Sequence, residues 1–185
     1  MVKLNKIYTR TGDDGTTGLA DGSRRKKHDR RMTAIGSVDE ANACIGLVRL
    51  HATEATDGHL ARIQNDLFDL GADLATPSDD IAWTPIRIVA DQVSALETIL
   101  DGLNADLEPL TSFILPAGTA LSAHLHLART VVRRAERDAV ALTELEAVNP
   151  EAVKYLNRLS DLLFVMARHA NDCGRADVLW VPGGA

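Results

Sequence analysis

From Thr33 onward the apolar positions recur every three or four residues, the period of a helix that buries one face. Ile35, Val38, Ala41, Ile45 and Val48 form the first such stripe, with Gly58 near the break after it. Leu60, Ile63, Leu67, Leu70 and Leu74 form a second that stops before Pro77, so the pair reads as two antiparallel helices. Thr84 followed by Pro85 has the form of an N-cap with proline at the first helical position, and Val89, Val93, Leu96, Leu100 and Leu103 then line a third helix. The run TSFILPAGTALS interrupts the pattern at Pro116 and Gly118, leaving Phe113 in a loop near a helix start and Thr119 or Ser122 to open a fourth helix. Asn149 and Pro150 announce a fifth, with Val153, Leu156, Ser160, Leu163 and Ala167 along it and Gly174 as its stop. The expected fold is all-α, an up-down five-helix bundle over 33–174. An N-terminal arm, 1–32, precedes it and a tail, 175–185, could set Trp180 on the bundle or on a neighbour.

The arm has neither period: TRTGDDGTTGLADGSRRKKHDRR is threonine, glycine, aspartate and basic residues. It reads either as a flexible tail or as a loop whose glycines let backbone approach a ligand closely. Composition agrees with helices, since 45% of residues are hydrophobic and only 4% aromatic. The net charge of −6 supplies no global basic field for a nucleic acid, so an anion would have to be met by a local cluster of arginine and lysine. Cys44 and Cys173 form neither a disulfide framework nor a CxxC motif. No signal-peptide core opens the sequence, and no run of about 18 apolar residues follows, so no membrane partner and a cytoplasmic protein are expected.

The fourth helix carries the candidate chemistry. At roughly 100° per residue, Leu121, Leu125, Ala128, Val132, Ala135 and Ala139 share an apolar stripe, while Arg129, Arg133, Glu136 and Arg137 converge on another face. Guanidinium forks hold phosphate oxygens well, although the same residues also suit a solvated face with Glu136 paired to its neighbours. On the broadly apolar fifth helix, Asn157, Asp161 and Arg168 form a polar stripe that asks for a ligand or a subunit interface. Asp39, in line with Gly36 and Ala43, reads either as an exposed acidic turn or as a carboxylate within reach of an arginine on another helix. TGDDGTTG lacks the GK[ST] of a Walker loop. His124 and His126 stand about 200° apart on a helix and do not chelate together. The absence of any ExxH removes the di-iron ligands of a ferritin-like bundle, and no metal site is expected.

TRTGDDGTTGL at 9–19, Lys27 in KKHD, GSVDE at 36–40, SFILPAG at 112–118, ARTVVRRAER at 128–137 and YLNRLSDLLF at 155–164 closely resemble, in this order, the ATP:cob(I)alamin adenosyltransferases of propanediol-using bacteria and human mitochondria. The resemblance implies a homotrimer with sites between subunits, an arm that orders around ATP, and transfer of the 5′-deoxyadenosyl group of ATP to the cobalt of cob(I)alamin with release of triphosphate. Its ATP contacts map to Thr9, Arg10, Thr11, Gly12, Thr17, Gly18, Lys27, Arg133, Arg134, Ala135, Glu136, Arg137 and Asn157. Asp39 and Arg129 match an intersubunit salt bridge, and Phe113 matches an aromatic that faces the corrin and keeps cobalt free of a lower ligand; with Arg133 these form the implied catalytic set. From the residues alone Phe113 reads as an ordinary core aromatic. Mg²⁺ would share the phosphate charge, and a flavin-type reductase and an adenosylcobalamin-dependent enzyme are the implied partners. The chain departs from the family pattern at Ala117, where relatives commonly have glycine. A non-catalytic, ATP-responsive B12 carrier or regulator on the same fold is the rival reading, and a purely structural bundle a second.

Overall fold

A computed structural model describes residues 7–77 and 81–184, so the first six residues of the arm, residues 78–80 and Ala185 lie outside the described residues. Five helices form: α1 Arg30–Arg49, α2 Glu54–Leu74, α3 Ala90–Asn104, α4 Ala120–Thr143 and α5 Pro150–Ala170. α1 packs between α2 and α4, α4 against α5, and α5 against α3. The stripes read from the sequence meet in one core, in which Val38, Ile45, Leu60, Ile63, Leu67, Leu70, Leu125, Val132, Leu156 and Leu163 are buried. Each fully buried aliphatic side chain contributes about 1.5–3 kcal/mol relative to exposure, which makes this shared core the main support of the fold.

Helix starts follow local chemistry. Asp29, Thr53, Thr119 and Asn149 cap α1, α2, α4 and α5 by accepting backbone N–H groups that the first turn leaves free, and Pro150 occupies the opening position of α5. The third helix departs from expectation: it begins at Ala90 with Val89 as N-cap, and Thr84–Pro85 lie in the connection before it. Asp73 is the reason. Its buried carboxylate accepts from Arg87 Nη1 at 2.8 Å, the Ile88 amide at 2.9 Å and Asn149 Nδ2 at 2.7 Å, so residues 87–88 are pinned across the end of α2 before a helix can start.

The arm read as aperiodic contains an antiparallel hairpin, β1 Thr16–Gly18 and β2 Arg24–Lys26, with Thr17 opposite Arg25. Three-residue strands are too short to display alternation. Gly22, at φ 83°, turns the chain, and Asp21 accepts the Ser23 amide at 2.9 Å. The hairpin is seated on the bundle: Leu19 is buried, the Ala20 amide donates to the Ala75 carbonyl at 2.9 Å, and Arg25 holds Glu146 through two bonds of 3.1 and 3.2 Å. Buried Arg31 takes the same Glu146 at 3.0 Å and the carbonyls of Leu74 and Ala147, joining the start of α1 to the ends of α2 and α4. No helix among the described residues is long and apolar enough to cross a membrane.

Candidate functional site

The expected site residues fall into three clusters. The first is the turn of the arm. Asp14 accepts the Thr16 amide and hydroxyl at 2.9 and 2.7 Å, which holds its carboxyl below the usual carboxylate range, and Gly15 at φ 83° reverses the chain. Lys27 donates its amide to the Gly15 carbonyl at 2.9 Å, and its Nζ would lie 3.2 Å from a Cβ built on Gly12. The Gly12 backbone and a lysine ammonium thus share one small surface, with Thr11 tied in by Arg24 Nη2 at 2.6 Å to its carbonyl. Thr9 and Thr11 hydroxyls stand 2.8 Å apart, and Arg10, at φ 62°, lies over Tyr8.

The second cluster is the seam between α4 and α5. Asn157 Nδ2 donates to Glu136 Oε1 at 2.9 Å and Asn157 Oδ1 accepts from Arg158 Nη1 at 2.7 Å, while Arg158 Nε reaches Glu97 Oε1 of α3 at 2.7 Å. Glu136 is therefore tied to the opposite helix. It does not neutralise the arginines a turn away, as the solvated-face reading required. Arg137 Nη1 bonds the Arg133 carbonyl at 3.0 Å, and Arg133 is exposed with no carboxylate partner among the described residues. Arg129 lies with its guanidinium 5.9 Å from the Phe164 ring centre, and its Nε is buried with no hydrogen-bond partner. Burial and then the nearby Arg133 charge lower the pKa of Arg129, and neither guanidinium forms an ion pair among the described residues. An open cavity of about 670 Å³ lies beside it, lined by Arg129, Arg133, Ser160, Asp161, Phe164 and Arg168 among others.

Three expected residues do not join this patch. Arg134 is rotated away and forms a salt bridge with Glu40 of α1. Ala135 is fully buried in the core, where its side chain has no access to a ligand. Both follow from the turn of about 100° per residue that separates each from Arg133. Arg168, read with Asn157 and Asp161 as a ligand or interface stripe, instead gives Nε to Asp177 Oδ2 at 3.0 Å and Nη2 to the Glu108 carbonyl at 3.1 Å. His124 and His126 separate as expected: His124 stacks on His51, and His126 is buried edge-on to Phe164.

The third cluster surrounds Phe113. Phe113 is 77% exposed, which excludes the core-packing reading. The tail pairs with its loop through an isolated bridge, Ile114 to Leu179, and the Phe113 and Trp180 rings meet edge to face with centroids 5.9 Å apart. Buried Asn171 braces the loop by accepting the Thr119 amide at 3.0 Å and donating to the Ala117 carbonyl at 3.2 Å. The loop needs positive φ only at Gly118 (107°), so alanine at 117 is accommodated. Asn171, Asp177 and Trp180 were not singled out as site residues; a carboxamide directly after a helix, followed by Gly174, was the available signal.

Within one chain the clusters stay apart. No hydrogen bond or ion pair among the described residues links Thr9–Gly18 or Lys27 to Arg133, Arg137 or Asn157. Asp39 and Arg129 do not meet either: Asp39 is exposed on α1, lining a groove with Asn42 and the 74% exposed Phe68. No group of three His, Cys, Asp or Glu side chains able to hold a metal ion occurs among the described residues.

Residues 7–170 match the family model for cobalamin adenosyltransferase. A corrinoid adenosyltransferase of Mycobacterium bovis is 54% identical over 188 residues, covering 99% of this chain and 96% of the relative. A human corrinoid adenosyltransferase is 40% identical over 176 residues, covering 91% of this chain and 70% of the relative. Among solved structures, a variant PduO-type ATP:corrinoid adenosyltransferase of Lactobacillus reuteri complexed with cobalamin and ATP superposes with a TM-score of 0.88 at 38% identity, covering 95% of this chain and 96% of that one.

Proposed function

Because the chain belongs to the cobalamin adenosyltransferase family, we propose that it transfers the 5′-deoxyadenosyl group of ATP to the cobalt of cob(I)alamin or a related corrinoid. The observation that carries this reading in the chain itself is exposed Arg133, which forms no ion pair among the described residues, beside a cavity with Arg137 and the tethered Glu136–Asn157 pair close by. Such a surface suits a leaving polyphosphate.

The substrate's Co(I) electron pair forms the new bond to the 5′ carbon. The C5′–O bond breaks, and its electrons leave on triphosphate. No protein nucleophile or base is required, so the residues act by placement and charge. Arg133, Arg137, Lys27 and the glycine-rich turn at Gly12 would hold the phosphates, with Thr9, Arg10, Thr11, Thr17, Gly18 and Asn157 completing the nucleotide contacts. Mg²⁺ would share the phosphate charge with these residues. Exposed Phe113 would cover the lower corrin face, excluding an axial donor and making cob(II)alamin easier to reduce by an electron from a flavin-type reductase.

The separation of arm and seam supports a site built from two chains of a homotrimer. Among the described residues Asp39 has no cation partner and Arg129 no anion partner, and their pairing between neighbours would set the Gly12–Lys27 turn of one subunit against the seam of the next. A cytoplasmic location and delivery of product to an adenosylcobalamin-dependent enzyme belong to the same reading. Incubation with ATP, Mg²⁺ and reduced cobalamin, followed by the light-sensitive spectrum of adenosylcobalamin, tests the activity. Binding of both substrates without that spectrum would identify a carrier.

A further inference from the structure

We propose that the tail segment Val178–Trp180 is a positioning device for Phe113, anchored by Asp177. The inference rests on the assignment of Phe113 to the corrin. Phe113 projects from the loop with most of its surface exposed, and the Trp180 edge is the aromatic contact it makes. The backbones are locked in register: the Trp180 amide donates to the Phe113 carbonyl at 2.8 Å, the Leu115 amide to the Val178 carbonyl at 2.8 Å, and Ser112 Oγ to the Trp180 carbonyl at 2.9 Å. Neither strand belongs to a sheet, and two lone strands hold poorly in water without further support.

The support lies one residue upstream. Asp177, 2% exposed at its side chain, accepts from Arg168 Nε at 3.0 Å and from Asn171 Nδ2 at 3.2 Å, and Arg168 is itself 8% exposed. The same Asn171 holds the Ala117 carbonyl and the Thr119 amide on the far side of the Phe113 loop. One buried ion pair and one buried carboxamide therefore clamp both strands that carry the aromatic pair to the end of α5. Buried, mutually satisfied polar groups of this kind select one arrangement against its neighbours. Trp180 fixes the ring, and Asp177 fixes Trp180.

The test uses the full chain and compares adenosylation begun from cob(II)alamin with a reduced flavin against adenosylation begun from cob(I)alamin made with titanium(III) citrate. The EPR signal of four-coordinate cob(II)alamin is read in parallel. Trp180→Ala should lower the Co(II)-started rate and the four-coordinate fraction by about two- to tenfold, the population shift an aromatic edge contact supplies, with the Co(I)-started rate changed less than about twofold. Trp180→Phe should restore most of the loss, and Trp180→Ala should add nothing in a Phe113→Ala background. If Trp180→Ala unfolds the tail, Trp180→Leu carries the same expectation. Equal losses from both starting states, or additive losses in the double variant, would overturn the positioning role. Should Phe113→Ala itself reduce both rates equally, the assignment of Phe113 fails and this inference with it; if Phe113→Ala separates the two rates and the Trp180 variants do not, only the tail's role is lost.

Discussion

Gly118→Ala places a methyl group at the most constrained backbone position of the Phe113 loop. Two costs follow from the structure. The backbone there has φ 107°, outside the regions L side chains adopt, a strain of about 1–3 kcal/mol. The new Cβ would also overlap the Asn171 carboxamide, a group at the bundle's interior with bonds to the Thr119 amide, the Ala117 carbonyl and Asp177. Asn171 cannot swing aside without leaving buried partners unsatisfied, at about 1–3 kcal/mol each. Partial relaxation keeps the sum below the arithmetic total, and a loss of about 3–5 kcal/mol is expected, at the upper end for one substitution. With a slope of about 2 kcal/mol/M in urea, the unfolding midpoint should fall by about 1.5–2.5 M at fixed protein concentration. Ala117→Gly is the control. That position has no positive φ, so its change should stay within about 1 kcal/mol. A loss below about 1 kcal/mol for Gly118→Ala would show that the loop and Asn171 do not constrain one another, and the clamp would lose its basis.

Arg133→Ala should reduce kcat/KM for ATP about 10²- to 10³-fold, matching roughly 2.7–4 kcal/mol for a preorganised charge donor, while corrinoid affinity measured by spectral titration stays near the parent value. Asp39→Arg alone should convert the assembly to smaller species in sedimentation velocity, and Asp39→Arg with Arg129→Asp should restore it; no restoration would remove that pair from the interface. His126 supplies a pH prediction. Burial, then the Arg129 charge, lowers its pKa from the ordinary 6.5, against a smaller opposing effect of Asp177, and both ring nitrogens lack partners. The unfolded chain therefore binds this proton first as pH falls, so the contribution is complete above pH 6.5 and is lost below it toward the folded pKa, with a slope of up to about 1.4 kcal/mol per pH unit. His126→Leu should flatten the stability profile between pH 6.5 and 5 in denaturant titrations.

The helices were legible because their cause is local. Thr119, Asn149 and Pro150 place the starts of α4 and α5, and the apolar stripes fall on the faces that the core buries. Arg129, Arg133, Glu136 and Arg137 could be placed on one face by the helical turn alone, and the partnering of Glu136 with Asn157 was implied only by the need of a polar group on an apolar helix. Thr84–Pro85 misled because a carboxylate eleven residues upstream, Asp73, holds the backbone that follows. The hairpin was hidden because its strands are short and its stability comes from Leu19 and the Arg25–Glu146 pair, 121 positions apart in the chain.

Period, caps and the ordered motifs determined from sequence alone that this protein is a bundle carrying an arginine face, because these depend on residues within a turn or two of one another. The tertiary structure decided which polar groups remain unspent. Arg168 is held by Asp177 and the Ala135 side chain lies in the core, whereas Arg129 and Arg133 form no ion pair among the described residues and Phe113 keeps its exposed face. That division depends on partners brought together across the fold, since a buried donor or charge is available to a ligand only when no neighbour in space has already satisfied it.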